Sequence, residues 1–204
     1  PIIDYCLTTF NEDDKIDKIV IVADTQWHDF IKEWLTKSGI DKFAGFASPG
    51  KTRQYSILNG LEMMKEEMKG QDIVIIHDAA RPLVSHRLIQ DCIQGAEEHE
   101  GAMPVLPAKD TYYFSKDGSK IEQLINRSNL FAGQAPESFK YQRYLDAHHT
   151  ISREELDRIN GSSELAFKAG MDVVMIDGEE RNFKITTRDD LELLQSYLGK
   201  DEEE

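Results

Sequence analysis

The chain has 204 residues, with 24 Lys+Arg against 38 Asp+Glu for a formal charge of −14, and it is 40% hydrophobic and 30% charged. These proportions predict one globular domain with a core large enough to need no disulfide or metal staple. They argue against a duplex-binding surface, because non-specific affinity for nucleic acid comes from Lys and Arg neutralising phosphates, and no apolar run approaches a membrane span. A small anionic ligand is still allowed, since it needs only a few cations in a cleft.

In chain order, Ile2, Ile3, Tyr5, Cys6, Leu7 and Phe10 fit a helix, and Ile16 to Ala23 is a short β-branched run. A second helix carries Trp27, Phe30, Ile31, Trp34 and Leu35 at i, i+3, i+4, i+7, i+8, capped by Asp24 or Thr25 and stopped by Gly39; the spacing predicts a core stripe rather than a stacking platform. The loop Ser48-Pro49-Gly50-Lys51 leads to a helix with Ile57, Leu58, Leu61 and Met64. Asp72 to His77 is a continuous apolar run of the kind a strand buried on both faces requires. A helix with Leu88, Ile89, Cys92 and Ile93 and a strand from Ala102 to Leu106 continue the alternation, which implies right-handed crossovers and a mainly parallel sheet.

The rhythm then breaks. Asp110 to Phe114 and Ile121 to Ile125 flank Ser115-Lys116-Asp117-Gly118-Ser119, a hairpin signal. Such an arm, spanning about 108–133, either packs on another subunit or folds back on its own domain, because two strands cannot bury their faces alone. Beyond it come a helix around Phe139 to His148, a Ser152-Arg153-Glu154-Glu155 capping box, and a helix from Ser162 to Ala169 stopped by Gly170. Val173 to Ile176 is the last strand, and a helix capped at Thr187 runs through Leu191, Leu194 and Leu198 to Gly199. The acidic Asp201-Glu202-Glu203-Glu204 tail reads as a solvated end. Cys6 and Cys92 read as reduced core thiols, in keeping with a cytoplasmic protein.

The chemistry concentrates in His77-Asp78-Ala79-Ala80-Arg81-Pro82, at the carboxyl end of the buried strand, where open α/β sheets place their ligands. A carboxylate there can hold Mg²⁺ against a nucleotide's phosphates, and Ala79 and Ala80 let a base or ribose approach the backbone. The blander reading is that Asp78 caps the next turn and pairs with Arg81. His77, His148 and His149 read as surface histidines, with no metal-ligand spacing. Arg53, Arg127 and Lys184 each sit beside short polar residues at an element's end. With Asp78 they would supply a metal carboxylate and fixed positive charge around a pentacovalent phosphorus.

The blocks Gly50-Lys51-Thr52-Arg53-Gln54-Tyr55-Ser56-Ile57, His77 to Pro82, Asp110-Thr111, Asn126-Arg127, Gln134-Ala135-Pro136 and Asn182-Phe183-Lys184-Ile185-Thr186-Thr187 resemble those of the cytidylyltransferases that make CDP-alditols, the 2-C-methyl-D-erythritol 4-phosphate and ribitol-5-phosphate enzymes. The resemblance covers nearly the whole chain. It implies a Rossmann-like nucleotidyltransferase fold with a protruding β-arm, a homodimer joined through that arm, and transfer of CMP from CTP to a polyol phosphate with Mg²⁺ as cofactor. It also implies that Ser56 contacts cytosine, Asp78 holds the metal and Arg53, Ala79, Ala80 and Arg81 shape the nucleotide loop. Lys184 would balance charge at the reacting phosphates, and Thr111 and Arg127 of a partner's arm would receive the polyol phosphate.

Three features depart from that family. Its glycine-rich L-x-x-G-G-x-G-x-R-M loop and following P-K-Q-F are not among these residues, and Pro1-Ile2-Ile3 resembles the segment just after them; a protein lacking that loop is expected to be inactive. Ala135 stands where the family often has Thr, and Asn160-Gly161-Ser162-Ser163-Glu164 replaces a Thr-Asp-Glu-type segment. The Phe131 to Phe139 stretch leans towards the ribitol phosphate branch. Two alternatives compete: a sugar-phosphate nucleotidyltransferase using another nucleotide, and a non-catalytic nucleotide-binding module.

Overall fold

The computed structural model describes residues 1–201, so the acidic tail expected at Asp201 to Glu204 lies outside the described residues apart from the backbone of Asp201. Helix α1 (Ile2–Glu12) buries Cys6, Leu7 and Phe10 along one face. Strand β1 (Ile19–Val22) pairs in parallel with β2 (Phe43–Ala47), and α2 (His28–Lys37) makes the crossover. Strand β2 was not legible in the sequence: its Phe-Ala-Gly-Phe-Ala run has neither the β-branching nor the alternation that marks a strand.

The α2 stripe is not the core stripe its spacing predicts. Only Ile31 and Leu35 are buried, while Trp27 is 54% and Phe30 46% exposed. Trp34 lies against Phe30 and under Lys37, so the aromatics form a surface ladder rather than core. Helical spacing shows that residues share a face, not that a neighbour covers it.

Helix α3 (Arg53–Met63) packs on the β1–β2 pair and leads to β3 (Ile73–Ile76). After α4 (His86–Glu98), capped by the Ser85 hydroxyl, comes β4 (Gly101–Pro107). The arm follows as a small antiparallel pair, β5 (Tyr113–Phe114) with β6 (Gln123–Leu124), turned at Gly118 with φ 75°. It forms a sheet of its own. Tyr113, Phe114, Ile121 and Leu124 are exposed by 45–68%, so the arm does not bury these residues on its own domain.

Strands β7 (Phe131–Gly133) and β8 (Glu137–Lys140) run antiparallel along one edge of β4, and β9 (Val173–Asp177) runs parallel along the other. β8 also pairs antiparallel with β3. The expected α/β architecture therefore holds with a mixed rather than mainly parallel sheet, because β8 inserts between β3 and β4. The helix expected from Phe139 begins instead at Tyr141: α5 is Tyr141–Thr150, and Ser138 and Phe139 are wholly buried as strand residues.

Between β7 and β8 the register slips, since Ala102 faces Ser138 but Val105 faces Gly133. This bulge frees the Gln134 side chain to reach another segment. Helix α6 (Arg153–Leu156) has the expected Ser152–Glu155 cap, and α7 (Ser162–Lys168) ends at Gly170 with φ 69°. Helix α8 (Arg188–Asp201) continues through Gly199 rather than stopping there; a helical glycine costs only about 1 kcal/mol relative to alanine.

A cleft of about 1040 Å³ is lined by α1, β1, α3 and β3. All four β3 residues line it, so the run expected to be buried on both faces is half-buried. The cleft's lining also includes the loop after β3.

Candidate active site

Asp78 lies two residues past the end of β3. Its carbonyl accepts from the Arg81 N–H at 2.9 Å, and His77 Nε2 donates to the Arg81 carbonyl at 2.9 Å, closing a tight loop. His77 is half-buried rather than the surface histidine expected: desolvation drives its pKa down to about 4, and its ring packs edge-on against Phe10. His148 is buried, at 4% exposure, whereas His149 is at the surface beside Glu62. Cys6 and Cys92 are the buried, unpaired thiols expected, and burial raises each pKa to about 12.

Long-range contacts bring the cations to this loop. Ala80 accepts from the Ile185 N–H at 2.8 Å and Arg81 Nη1 donates to the Asn182 carbonyl at 2.7 Å, tying 182–185 to the end of β3. Asn182, wholly buried, donates to the Ala135 carbonyl, and Gln134 uses its bulged position to bond Glu179 and Asn182. Ala135 itself is 3% exposed, so its side chain presents nothing to a ligand. This scaffold sets Lys184 Nζ 3.1 Å from Asp78 Oδ2, where Arg81 Nε also approaches to 3.8 Å.

Arg53, the first residue of α3, completes the cluster, with Nη2 3.1 Å from Asp78 Oδ1 and 3.7 Å from Glu137 Oε1. Burial works against charge on Asp78, but Arg53 and Lys184 outweigh it and hold the carboxyl below its ordinary range. Three cations, Arg53, Arg81 and Lys184, thus face two carboxylates, Asp78 and Glu137, leaving one positive charge in excess. The capping interpretation of Asp78 covers only its Arg81 contact.

Ser56 lines the same cleft as Arg53, Asp78, Ala79, Ala80 and Lys184. Its hydroxyl donates to the Thr52 carbonyl at 3.1 Å and accepts from the Gly50 N–H at 3.0 Å, so it fixes the loop at the cleft's lip. Gly50 is required there, since a Cβ would stand 2.3 Å from Tyr55 Cβ. Thr111 and Arg127 are not brought to this cluster: both are exposed on the arm, where Arg127 Nη1 bonds the Lys109 carbonyl at 2.9 Å. Sequence reasoning missed Glu137 and Ser162 as site neighbours; the one signal was a Glu between Pro136 and the buried Ser138-Phe139 pair.

Among the described residues no group of three or more His, Cys, Asp or Glu could hold a metal ion. The donor set nevertheless fits Mg²⁺, which characteristically takes one or two carboxylates and completes its shell with water and phosphate oxygens. Asp78 can be that carboxylate.

A carboxylate ringed by cations, at the carboxyl end of a strand in an α/β sheet, is an arrangement suited to a nucleotide's phosphates. A profile of the 2-C-methyl-D-erythritol 4-phosphate cytidylyltransferase family (IspD) matches residues 1–200, and the chain belongs to that family. It is 35% identical over 202 residues to the 2-C-methyl-D-erythritol 4-phosphate cytidylyltransferase of Clostridium acetobutylicum, covering 98% of this chain and 86% of that protein. It is 29% identical over 204 residues to the ribitol-5-phosphate cytidylyltransferase of Lacticaseibacillus paracasei, covering 99% and 87%. In fold it resembles 4-diphosphocytidyl-2C-methyl-D-erythritol synthase from Anaerococcus prevotii, with a TM-score of 0.83 at 24% identity over 97% of this chain and 86% of that one. The chain is therefore an enzyme of CTP-dependent cytidylyl transfer to a polyol phosphate, and the non-catalytic alternative falls away.

Proposed function

We propose that the reaction takes place at Asp78. An oxygen of the polyol phosphate attacks the α-phosphorus of CTP, the new P–O bond forms as the bond to the β-phosphate's bridging oxygen breaks, and pyrophosphate leaves. The observation that carries this reading is the convergence of Arg53, Arg81 and Lys184 on Asp78. Lys184, 44% exposed, swings from Asp78 to bridge the α-phosphate and the incoming phosphate. Arg53 and Arg81 hold the nucleotide loop, while Ser56 and the Ala79-Ala80 backbone form the cytosine wall. Mg²⁺, when bound by Asp78 and the nucleotide, would neutralise phosphate charge.

The arm docks on a second copy of the chain, a reading supported by its exposed apolar faces. Its Thr111 and Arg127 then receive the polyol phosphate in the partner's site. Nucleic acid and membranes are not partners on this reading. Among the described residues no helix is long and apolar enough to cross a membrane. A cytoplasmic setting is supported by the two unpaired thiols.

The acceptor is 2-C-methyl-D-erythritol 4-phosphate in the reading the 35% relative supports. Ribitol 5-phosphate is the second reading, supported by the 29% relative and the Phe131 to Phe139 stretch. The test is pyrophosphate release from CTP and Mg²⁺ by protein carrying the glycine-rich loop, with the two acceptors in parallel and with UTP, GTP and dTTP as controls. Turnover with CTP and one acceptor is expected; equal turnover with UTP would defeat the cytosine wall, and failure to bind CTP would defeat the site.

A further inference from the structure

Glu137 has no part in the reaction as described, yet it is 7% exposed and faces Arg53 of the cluster. It opens β8 opposite Ile76, next to the Asp78 loop. Its Oε2 accepts from the Ser163 N–H at 2.7 Å and the Ser163 hydroxyl at 2.6 Å, while Oε1 faces Arg53 Nη2 at 3.7 Å. Arg53 Nη1 meanwhile donates to Ser162 Oγ at 2.6 Å, and Gln54 Nε2 to the Gly161 carbonyl at 3.0 Å. The Gly161-Ser162-Ser163 turn, where this chain departs from the family pattern, is thus clamped to the start of α3.

We propose that Glu137 is a positioning residue for nucleotide binding, acting through Arg53 and this turn; the inference rests on the cytidylyltransferase reading above. A guanidinium has a fork of donors on a long flexible stem. Were Asp78 its only anion, Arg53 would lose its anchor whenever Asp78 turned to the nucleotide. Glu137 and Ser162 keep the fork at the cleft's edge through that exchange.

Glu137→Gln separates this from a plain field effect, because the two have opposite signs. The amide oxygen can still accept from Ser163, but the cluster's excess charge rises from one to two. A field effect alone tightens CTP. Loss of positioning weakens it, and we expect about a tenfold rise in the CTP Kd, measured by calorimetry without divalent cations, and in KM, with kcat changed less than about threefold. In an Arg53→Lys background, where no fork spans the two carboxylates and Ser162, Glu137→Gln should add almost nothing. Tighter or unchanged CTP binding by Glu137→Gln, or the same tenfold loss in the Arg53→Lys background, would overturn the proposal. A lowered Tm with intact CTP binding would do so too, by making Glu137 a folding residue only. Wild-type protein that binds no CTP would instead sink the underlying reading, and no variant is needed to see it.

Discussion

Asp78→Asn isolates the carboxylate on which the site converges. The side chain keeps its shape and one carbonyl oxygen, but it can no longer answer Arg53 on Oδ1 and Lys184 and Arg81 on Oδ2. At 3.1 Å and an effective dielectric of 20, each close contact carries on the order of 5 kcal/mol of gross Coulomb attraction. Lys184 is 44% and Arg53 31% exposed, so water returns most of that, and Arg53 retains Glu137. The net loss of stability comes to about 2 kcal/mol, or roughly 4–8 °C in Tm for a chain of this size. Function should suffer far more. Turnover, read as pyrophosphate release, should fall at least about 1000-fold, since the carboxylate proposed to hold Mg²⁺ is gone. CTP binding without divalent cations should be no weaker, because the cluster has gained positive charge. A variant that turns over within about threefold of wild type would refute the reasoning, as would one whose metal-free CTP binding collapses alongside turnover.

The other tests address one residue set each. Lys184→Ala should lower kcat at least about 100-fold while leaving the fold intact, because its ion pair with Asp78 is partly exposed; unchanged turnover would place the chemistry elsewhere. Arg127→Ala should raise KM for the polyol phosphate without altering CTP binding, since its side chain stays on the arm, and an effect on CTP alone would contradict the assigned role. Ile121→Ser with Leu124→Ser, at positions 68% and 65% exposed, should turn a dimer into a monomer by sedimentation; a wild-type monomer would remove the arm's role altogether. His148, buried against Tyr144, has no hydrogen-bond partner for either ring nitrogen among the described residues, and burial lowers its pKa from 6.5 to about 4. A depressed folded-state pKa leaves stability intact above pH 6.5 and removes it as pH falls towards 4, by about 2 kcal/mol from this residue at pH 5. His148→Phe should therefore flatten urea-unfolding stability between pH 8 and pH 5, and an unchanged slope would show that His148 protonates freely in the folded chain.

Local order alone made much of this protein legible. The apolar run ending at His77-Asp78 located the strand and the polar loop at its end, because a strand's propensity and a loop's chemistry are both written in adjacent residues. Asp117-Gly118, the Ser152 capping box and Gly170 marked their turn, cap and stop for the same reason: each depends on the backbone of a few neighbours. Tertiary structure alone decided what distant segments do to one another. Trp27 and Phe30 have core spacing but no covering partner, so they lie at the surface. Glu137 to Lys140 is a strand because β3 and β4 leave a place between them, a fact no local propensity carries. Asp78, Arg53 and Lys184 could be named separately, but it takes long-range bonds such as Ala80–Ile185 and Arg81–Asn182 to bring the last to the first. Glu137 became visible only in the fold, because a buried carboxylate declares its purpose through partners far away in the chain.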